Sequence, residues 1–278
     1  MMEYSDIKCE VANNILTIKL NRPDSLNAWT RLMEKELRDA MNNAARSSDI
    51  RVIVLTGEGR GFCAGADMSL LNDVRESDSE VAQRPENTNF KAIENSLDLP
   101  ADFSLGYSYF PSVPKPIIAA INGPCAGLGL IMAMYSDIRF SSASAKFTTA
   151  FSRRGLIAEH GISWMLPKIV GFSGALELLI SGRKFDAEEC LRLGFITDIF
   201  PDDRFFEKIY DYAEDLAKNV SPRSIRVMKE QLYKAQFQDL NSAIEKANLE
   251  MLGSFESEDF SEGVAHFVEK RAAKFSGK

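Results

Sequence analysis

Alternating and clustered apolar positions divide the first part of the chain into a hairpin, a helix and a buried strand. Leu16, Ile18 and Leu20 alternate with polar residues after a pair of asparagines, which is typical of a hairpin strand with one face in the core. Apolar positions recur at helical spacing in residues 30–45, and residues 51–57 form a short apolar run that ends in glycine. This order predicts a strand pair, a helix and a fully buried strand.

The middle of the chain repeats the succession of strand and helix. Residues 115–123 form a second buried strand that ends in glycine, and an apolar helix is predicted over residues 126–136. Two further strands are predicted at 137–142 and 145–150. Because strands that alternate with helices usually form a parallel sheet covered on its faces, the pattern indicates an α/β fold.

The last part of the chain is mainly helical from residue 161, with three long helical patterns between residues 205 and 274. We therefore predict a core that holds the functional site in residues 1–200. Residues 201–278 would form a helical region that packs on this core or on a neighbouring subunit. Residues 72–112 are polar and acidic with little periodicity, which favours a lid or a pocket wall over scaffold.

The composition indicates a globular protein and argues against nucleic acid as a partner. Of the 278 residues, 45% are hydrophobic and 26% are charged, which is sufficient for a substantial core. The net charge of −7 lacks the basic footprint of a general nucleic-acid binder. The N-terminus shows no secretory signal, and no run approaches the roughly 18 apolar residues of a membrane span.

Cysteine usage points to a reducing compartment. The four cysteines lie far apart, and none of them forms a CxxC pair. This spacing is typical of a reduced cytosolic protein and unlike a disulfide framework or a zinc site. We therefore expect a cytoplasmic protein without a metal site and without a membrane anchor.

Two segments share one design, in which a buried strand leads through a turn of small residues into a helix. They read VIVLTGEGRGFCAGADM from residue 52 and IIAAINGPCAGLGLIM from residue 117. The first amides of a helix are unpaired and lie at the positive end of its dipole. Two such N–H groups aimed at one point would form an oxyanion hole. Close packing of helix on strand is the structural alternative for each turn.

Five segments together resemble the enoyl-CoA hydratase/isomerase (crotonase) superfamily. They are NRPDSLNAWT, LTGEGRGFCAGADM, KPIIAAINGPCAGLGLIMAMYSDIRF, LPKIVG and SGRKFDAEECLRLGFITDIFP, and the match runs in order from about residue 11 to the end. The resemblance implies an α/β crotonase-like spiral of ββα turns with a helical C-terminal trimerisation region. It also implies an acyl-CoA thioester substrate and a homotrimer or a dimer of trimers.

The resemblance further implies where the thioester binds. Its carbonyl oxygen would accept hydrogen bonds from the backbone amides of Ala66 and Leu128. Many relatives have glycine at the second position, but only the N–H group is needed there. No cofactor is expected, because coenzyme A is part of the substrate. The residues expected to contact coenzyme A are Leu26, Ala28, Asp67, Met68 and Leu70. A helix cap is the structural alternative for Asp67.

The type of reaction depends on which carboxylates are present. Hydratases of the superfamily use two glutamates, and the corresponding positions here are Ile131 and Phe151, which speaks against hydration by a glutamate pair. The enoyl-CoA isomerases resemble this chain more closely in the segment GLIAEHGISW, where a single acid corresponds to Glu159. Glu159 would take a proton from C2 of a 3-enoyl thioester and return it to C4. Without the resemblance, a helix cap would be the preferred interpretation of Glu159.

Two other functions remain open. A hydratase, or a hydrolase that cleaves a C–C bond, could use Glu159 and His160 to position water. A crotonase-fold protein without activity could instead bind a partner. His160 and Trp164 are expected to line the pocket together with Ile131 and Phe151. The aromatic residues that would either wall the acyl pocket or form core beneath a loop are Trp29, Tyr107, Tyr109, Phe110 and Trp164.

Overall fold

The computed structural model describes residues 4–70, 72, 93–94 and 96–278. A six-stranded sheet has the order β1-β2-β3-β4-β6-β9, and a three-stranded sheet has the order β5-β7-β8. Only β1 and β2 are antiparallel neighbours in the larger sheet. The strands are β1 (Ile7–Ala12), β2 (Ile15–Leu20), β3 (Val52–Gly57), β4 (Ile117–Ile121), β5 (Cys125–Ala126), β6 (Ile138–Ser142), β7 (Lys146–Thr148), β8 (Phe185–Asp186) and β9 (Asp198–Phe200).

Helices cover both faces of the larger sheet. They are α1 (Arg31–Arg46), α2 (Leu128–Tyr135), α3 (Ile162–Ser181), α4 (Ala187–Arg192), α5 (Phe205–Asn219), α6 (Pro222–Ala235), α7 (Leu240–Phe255) and α8 (Glu258–Glu269). Side chains of β3 alternate between the faces, so that Ile53 packs in the cluster that contains α1, and Val54 packs in the cluster that contains α5. The α/β fold and the parallel sheet predicted from the apolar runs are therefore confirmed.

The helical end of the chain differs from the prediction in its divisions. Residues 205–274 contain four helices, where three were expected. The break between α5 and α6 lies at Ser221, whose hydroxyl accepts a hydrogen bond from the Ser224 amide, and Pro222 follows as the first helical residue. Proline has no amide hydrogen and is favoured at this position, so it starts a new helix and does not extend the previous one.

A buried ion pair connects α6 to the core. Nζ of Lys229 lies 2.6 Å from a carboxylate oxygen of Asp137, which also accepts a hydrogen bond from the Ile117 amide. Burial lowers the pKa of Lys229, and the neighbouring Asp137 opposes that shift. Because loss of one partner would leave an uncompensated buried charge, this pair fixes α6 against the sheet of its own chain.

Helix α7, by contrast, has no buried residue along its fully described length. Several of its large apolar side chains are exposed, including Leu240, Leu249, Leu252 and Phe255. The predicted trimer or hexamer would cover such a surface, and it stays a prediction. The boundary predicted at residue 200, between the core and the helical region, also stays a prediction. The predicted lid or wall at 72–112 falls partly on residues 73–92 and 95, which lie outside the described residues.

Helix α3 departs from the expectation that no segment resembles a membrane span. Its 20 residues are long and apolar enough to cross a membrane, by length and composition alone. The helix is interrupted at Gly171, where φ is 76°, and Ile162, Met165 and Leu166 pack in the core cluster. Core helices of globular proteins meet the same criterion, and the buried side of α3 is part of this core.

Candidate active site

The two small-residue turns lie side by side. Cys63 and Cys125 form a parallel bridge, in which the Ala126 amide donates to the Cys63 carbonyl at 2.9 Å. On the other side of the bridge, the amides of Phe62 and Cys63 both donate to the Pro124 carbonyl at 3.1 Å. Burial raises the pKa of the Cys63 thiol to about 12. The thiols therefore pack as neutral side chains, in agreement with a structural role.

Two glycines allow this close approach. A Cβ atom at Gly129 would lie 2.3 Å from the Cys63 carbonyl oxygen, so only glycine fits at this point of α2. Gly127, immediately before the helix, has φ 48° and ψ −115°, a backbone conformation that is strained for residues with a side chain. The second turn thus depends on glycine both for its conformation and for its contact with the first turn.

The predicted oxyanion amides lie at the paired turns. Trp29 donates its amide hydrogen to the Gly65 carbonyl, and its own carbonyl accepts from the Asp67 amide. Ala66 lies between these two residues, so its amide points away from Trp29. Leu128 is the first residue of α2, where no earlier helical carbonyl is available. Within the described part of the chain, neither Ala66 nor Leu128 donates its amide hydrogen to another residue. Both residues line one cavity, and neither amide has an acceptor among the described residues.

Ala66, Leu128 and the predicted base Glu159 all line one cavity of about 200 Å³. Its lining comes from both turns, from the segment after β7 and from the loop before α3. The residues that line it are Ala64, Gly65, Ala66, Leu70, Gly127, Leu128, Thr149, Ala150, Phe151, Arg154, Leu156, Glu159 and His160. Among the described residues, Glu159 is the only carboxylate in this lining, and the imidazole of His160 is its neighbour there.

Backbone conformation places Glu159 at the cavity. His160 has φ 55° and Gly161 has φ 72°, and the Tyr135 hydroxyl donates to the His160 carbonyl at 2.9 Å. A Cβ atom at Gly161 would lie 2.5 Å from that hydroxyl oxygen, so glycine is required beside the tyrosine. This turn and its hydrogen bond to α2 hold residue 159 in front of the helix that carries Leu128.

The helix-cap alternative for Glu159 is not what the structure shows. Helix α3 begins at Ile162 with Gly161 as its cap, and its cap position has no side-chain hydrogen bond. The Glu159 side chain is about one third exposed, and its carboxylate lies 3.7 Å from Nε2 of His160. The carboxylate therefore lies at the cavity beside His160 and does not cap helix α3.

A second, larger cavity of about 440 Å³ adjoins the first at His160, which lines both. Its lining is Asp102, Phe103, Leu105, Gly106, Tyr107, Ser108, Tyr135, His160, Gly161, Trp164 and Phe237. Of the aromatic residues singled out in the sequence, Tyr107 and Trp164 line this cavity. Tyr109 and Phe110 are buried core residues, and Trp29 is a core residue whose ring contacts that of Tyr107 at 5.3 Å.

Sequence reasoning missed Phe103, Tyr135 and Phe237 as cavity residues. Phe103 lines the cavity and belongs to residues 72–112, which were predicted to form a lid or a pocket wall. That prediction was the one indication of its position in the sequence. Tyr135 closes an apolar helix whose residues are all buried, and Phe237 follows α6 more than 70 residues from the nearest other part of the lining. Only the folded chain brings these rings together, because no local pattern distinguishes them from core residues.

The predicted coenzyme A contacts divide into two groups. Leu70 lines the smaller cavity, as does Phe151, whereas Leu26, Ala28, Asp67 and Met68 lie outside the linings of the two cavities. Their roles toward coenzyme A stay predictions. Ile131 is fully buried in the core cluster behind the cavity, so its side chain does not form the pocket surface. Buried apolar packing explains this position better than contact with substrate.

Asp67 caps the helical turn that follows it, the structural alternative named for this residue. It accepts hydrogen bonds from the amide and hydroxyl of Ser69, and the Arg22 guanidinium lies 2.7 Å from its other oxygen. The Ser69 amide and Arg22 lower the pKa of Asp67 to about 2, so its carboxylate is ionised at neutral pH. Arg22 also donates to the Ala28 carbonyl at 2.7 Å. Its guanidinium therefore connects Asp67 to the segment that contains Leu26 and Ala28.

No group of three or more histidine, cysteine, aspartate and glutamate side chains is arranged to hold a metal ion in the part of the chain that the structure describes.

A family model described as enoyl-CoA hydratase/isomerase matches residues 10–278. The chain belongs to the enoyl-CoA hydratase/isomerase family. It is an acyl-CoA enzyme of this family with the crotonase fold, as the resemblance implied. Names of relatives within the family include both isomerases and hydratases, so family membership alone leaves the reaction open.

Three similar proteins illustrate this range. The 1,2-epoxyphenylacetyl-CoA isomerase of Escherichia coli K12 is 31% identical over 281 residues, which cover 100% of both chains. The peroxisomal enoyl-CoA delta isomerase 3 of Mus musculus is 29% identical over 97% of this chain and 80% of its own length. The crystal structure of an enoyl-CoA hydratase from Bacillus anthracis superposes with a TM-score of 0.86 at 26% identity, over 99% of this chain and 100% of that one.

Proposed function

We propose that this protein is an enoyl-CoA isomerase that moves a double bond from C3 to C2 of an acyl-CoA thioester. The observation that carries the proposal is the smaller cavity, where two free backbone amides and a single carboxylate meet among the described residues. Two donors at one point suit a developing oxyanion, and one carboxylate suffices to move one proton.

In the proposed reaction, the thioester oxygen accepts hydrogen bonds from the amides of Ala66 and Leu128. The Glu159 carboxylate takes a proton from C2, and the electrons of the broken C–H bond move toward the carbonyl, giving a dienolate over C1 to C4. The same carboxyl group then returns its proton to C4. The double bond now lies between C2 and C3, the carbonyl re-forms, and Glu159 is again ionised. No atom is gained or lost, and no cofactor is needed.

The surroundings of Glu159 favour this reaction over hydration. Phe151, one of the two positions expected to carry a hydratase glutamate, lines the cavity with an apolar ring, and Ile131, the other, is buried in the core. Apolar groups at these two positions supply no second carboxylate to an attacking water, so His160, 3.7 Å from Glu159, is the polar group left beside it. Two of the similar proteins named above are isomerases, which is consistent with the proposal.

We further propose that the active form is a homotrimer or a dimer of trimers in the cytoplasm. The exposed apolar residues of α7 supply a surface that subunit contacts would bury.

The proposal predicts different behaviour toward two substrates in a spectrophotometric assay. A 3-enoyl-CoA is expected to gain the absorbance of a conjugated enoyl thioester when the protein is added. A 2-enoyl-CoA of equal length is expected to keep that absorbance except for back-isomerisation. Rapid loss of the conjugated absorbance from the 2-enoyl substrate, with no change in the 3-enoyl substrate, would instead identify a hydratase.

A further inference from the structure

The larger cavity is lined mainly by rings. Phe103 contacts Trp164 at a centroid distance of 6.3 Å and 73°, and contacts Phe237 at 6.0 Å and 89°. Trp164 and Phe237 stack at 5.3 Å and 19°, while Tyr107 meets His160 edge to face at 4.8 Å. These are the separations and tilts at which aromatic rings attract one another. The cavity is therefore bounded by rings that hold one another in fixed orientations, and Nζ of Lys168 lies 4.2 Å from the Trp164 ring centroid.

Aliphatic side chains are nearly absent from the same surface. Among the described residues, Leu105 is the only aliphatic side chain in this lining, beside six aromatic or imidazole rings. A tunnel for a flexible hydrocarbon chain needs apolar area but gains nothing specific from ring geometry, since hydrophobic attraction is not directional. A planar guest, in contrast, can both bury apolar area and make edge-to-face or stacked contacts.

The position of the cavity relative to the reacting carbons sets which part of a substrate it holds. His160 lines both cavities, and Glu159 precedes it at the smaller one. An acyl chain whose C1 to C4 lie at Glu159 would pass His160 with its later carbons. The inner rings, Phe103 and Tyr107, are buried and fixed by packing, whereas Trp164 and Phe237 are 38% and 47% exposed and have area left for a guest to cover.

We propose that the larger cavity holds an aromatic ring on the acyl group, so that aryl-substituted enoyl-CoA thioesters are the preferred substrates of this enzyme. The inference rests on the proposed function for the location of the thioester in the smaller cavity. It adds the class of acyl group, which neither the proton transfer nor the oxyanion hole determines.

A pair of saturated ligands tests the inference without any turnover. Phenylpentanoyl-CoA and undecanoyl-CoA carry the same number of acyl carbons, but the linear chain exposes more apolar area and would bind more tightly to a surface that recognises apolarity alone. The ring-lined cavity predicts the opposite order, with phenylpentanoyl-CoA bound about tenfold more tightly in calorimetric titration of the full-length protein. Equal or tighter binding of undecanoyl-CoA would overturn the inference.

Variants locate the preference at the rings. Phe237→Leu is expected to reduce it to about threefold or less, because a stacked and an edge contact are lost. This residue is half exposed, so the fold should tolerate the change, and Phe103→Leu supplies a second variant. Phe206→Leu on α5, which lies outside both cavities, is the matched control and should keep the full preference. An undiminished preference in both cavity variants would also overturn the inference.

The 3-enoyl counterparts of these ligands separate this inference from the proposed reaction. Turnover is compared for 5-phenylpent-3-enoyl-CoA and undec-3-enoyl-CoA, with the aryl substrate expected to have about tenfold higher kcat/KM. Tighter binding of the saturated phenyl ligand without isomerisation of either substrate would support the ring site and refute the isomerase. Isomerisation of both substrates at equal kcat/KM would leave the isomerase standing and refute the ring site.

Discussion

Glu159→Gln is expected to lower kcat for isomerisation of a 3-enoyl-CoA by about a thousandfold, because general acid–base groups contribute on the order of 10²–10⁴. Glutamine keeps the size and hydrogen-bonding atoms of the side chain but cannot accept the C2 proton at neutral pH. No other carboxylate lines the smaller cavity among the described residues, so no second acid can replace it there. Steady-state kinetics by absorbance of the conjugated product measure the effect.

Two controls make the result specific. Affinity for a saturated acyl-CoA should change less than about threefold, because the coenzyme A part does not depend on Glu159. Glu188→Gln changes an exposed carboxylate of α4 outside both cavities and should leave kcat unchanged. A Glu159→Gln enzyme with at least a third of the parent kcat would show that another group moves the proton.

Gly129→Ala is expected to impair both stability and catalysis. The new methyl group would lie 2.3 Å from the Cys63 carbonyl oxygen, a contact that only a shift of α2 or of the first turn can relieve. Overpacking of this kind costs about 1–3 kcal/mol of unfolding free energy. The shift also moves the Leu128 amide relative to that of Ala66, and loss of one oxyanion donor costs about 10²–10³ in kcat.

Gly263→Ala is the matched control for this variant. Its Cβ atom would meet Phe275 at 3.8 Å, an ordinary van der Waals contact on α8. In measurements on both variants, kcat and the unfolding temperature are expected to fall only for Gly129→Ala, since alanine in place of a helical glycine by itself raises stability by about 1 kcal/mol. A Gly129→Ala protein with unaltered kcat would contradict the assignment of the paired turns as the oxyanion hole.

The central strands and the first helix could be predicted from the sequence because their apolar pattern is local. The run at 51–57 became β3, whose residues are all buried, and the pattern at 30–45 became α1. Thr30 caps that helix by accepting the Met33 amide, and it directly precedes the first helical residue. Strong local signals and tertiary packing agree in these elements, so the prediction was accurate to a residue or two.

Short strands could not be predicted in the same way. β5 and β8 have two residues each, and they exist because β7 lies between them and pairs with both. Periodicity needs more than two residues to be visible, so these strands depend on partners distant in sequence. The strand predicted at residues 145–150 is also shorter in the structure. It ends at Thr148, because its pairing with the neighbouring strands ends there.

The part of the candidate site that the two small-residue turns form could be predicted. Gly-rich segments after buried strands indicated the two turns from residue types alone, and the resemblance identified Ala66, Leu128 and Glu159 within the site. The ring-lined cavity was accessible only in part, because its members come from a loop, from α2, from the start of α3 and from the residue range after α6. A cavity assembled from distant segments leaves no spacing pattern in the sequence.

The most direct test of proton transfer by Glu159 uses a 3-enoyl-CoA with deuterium at both C2 positions. The product is analysed by mass spectrometry and NMR, and the rate is compared with that of the unlabelled substrate. Proton transfer from C2 to C4 predicts a 2-enoyl-CoA with no added oxygen, slower formation from the deuterated substrate, and one hydrogen or deuterium delivered to C4. A product heavier by one water, formed at the same rate from both substrates, would contradict it.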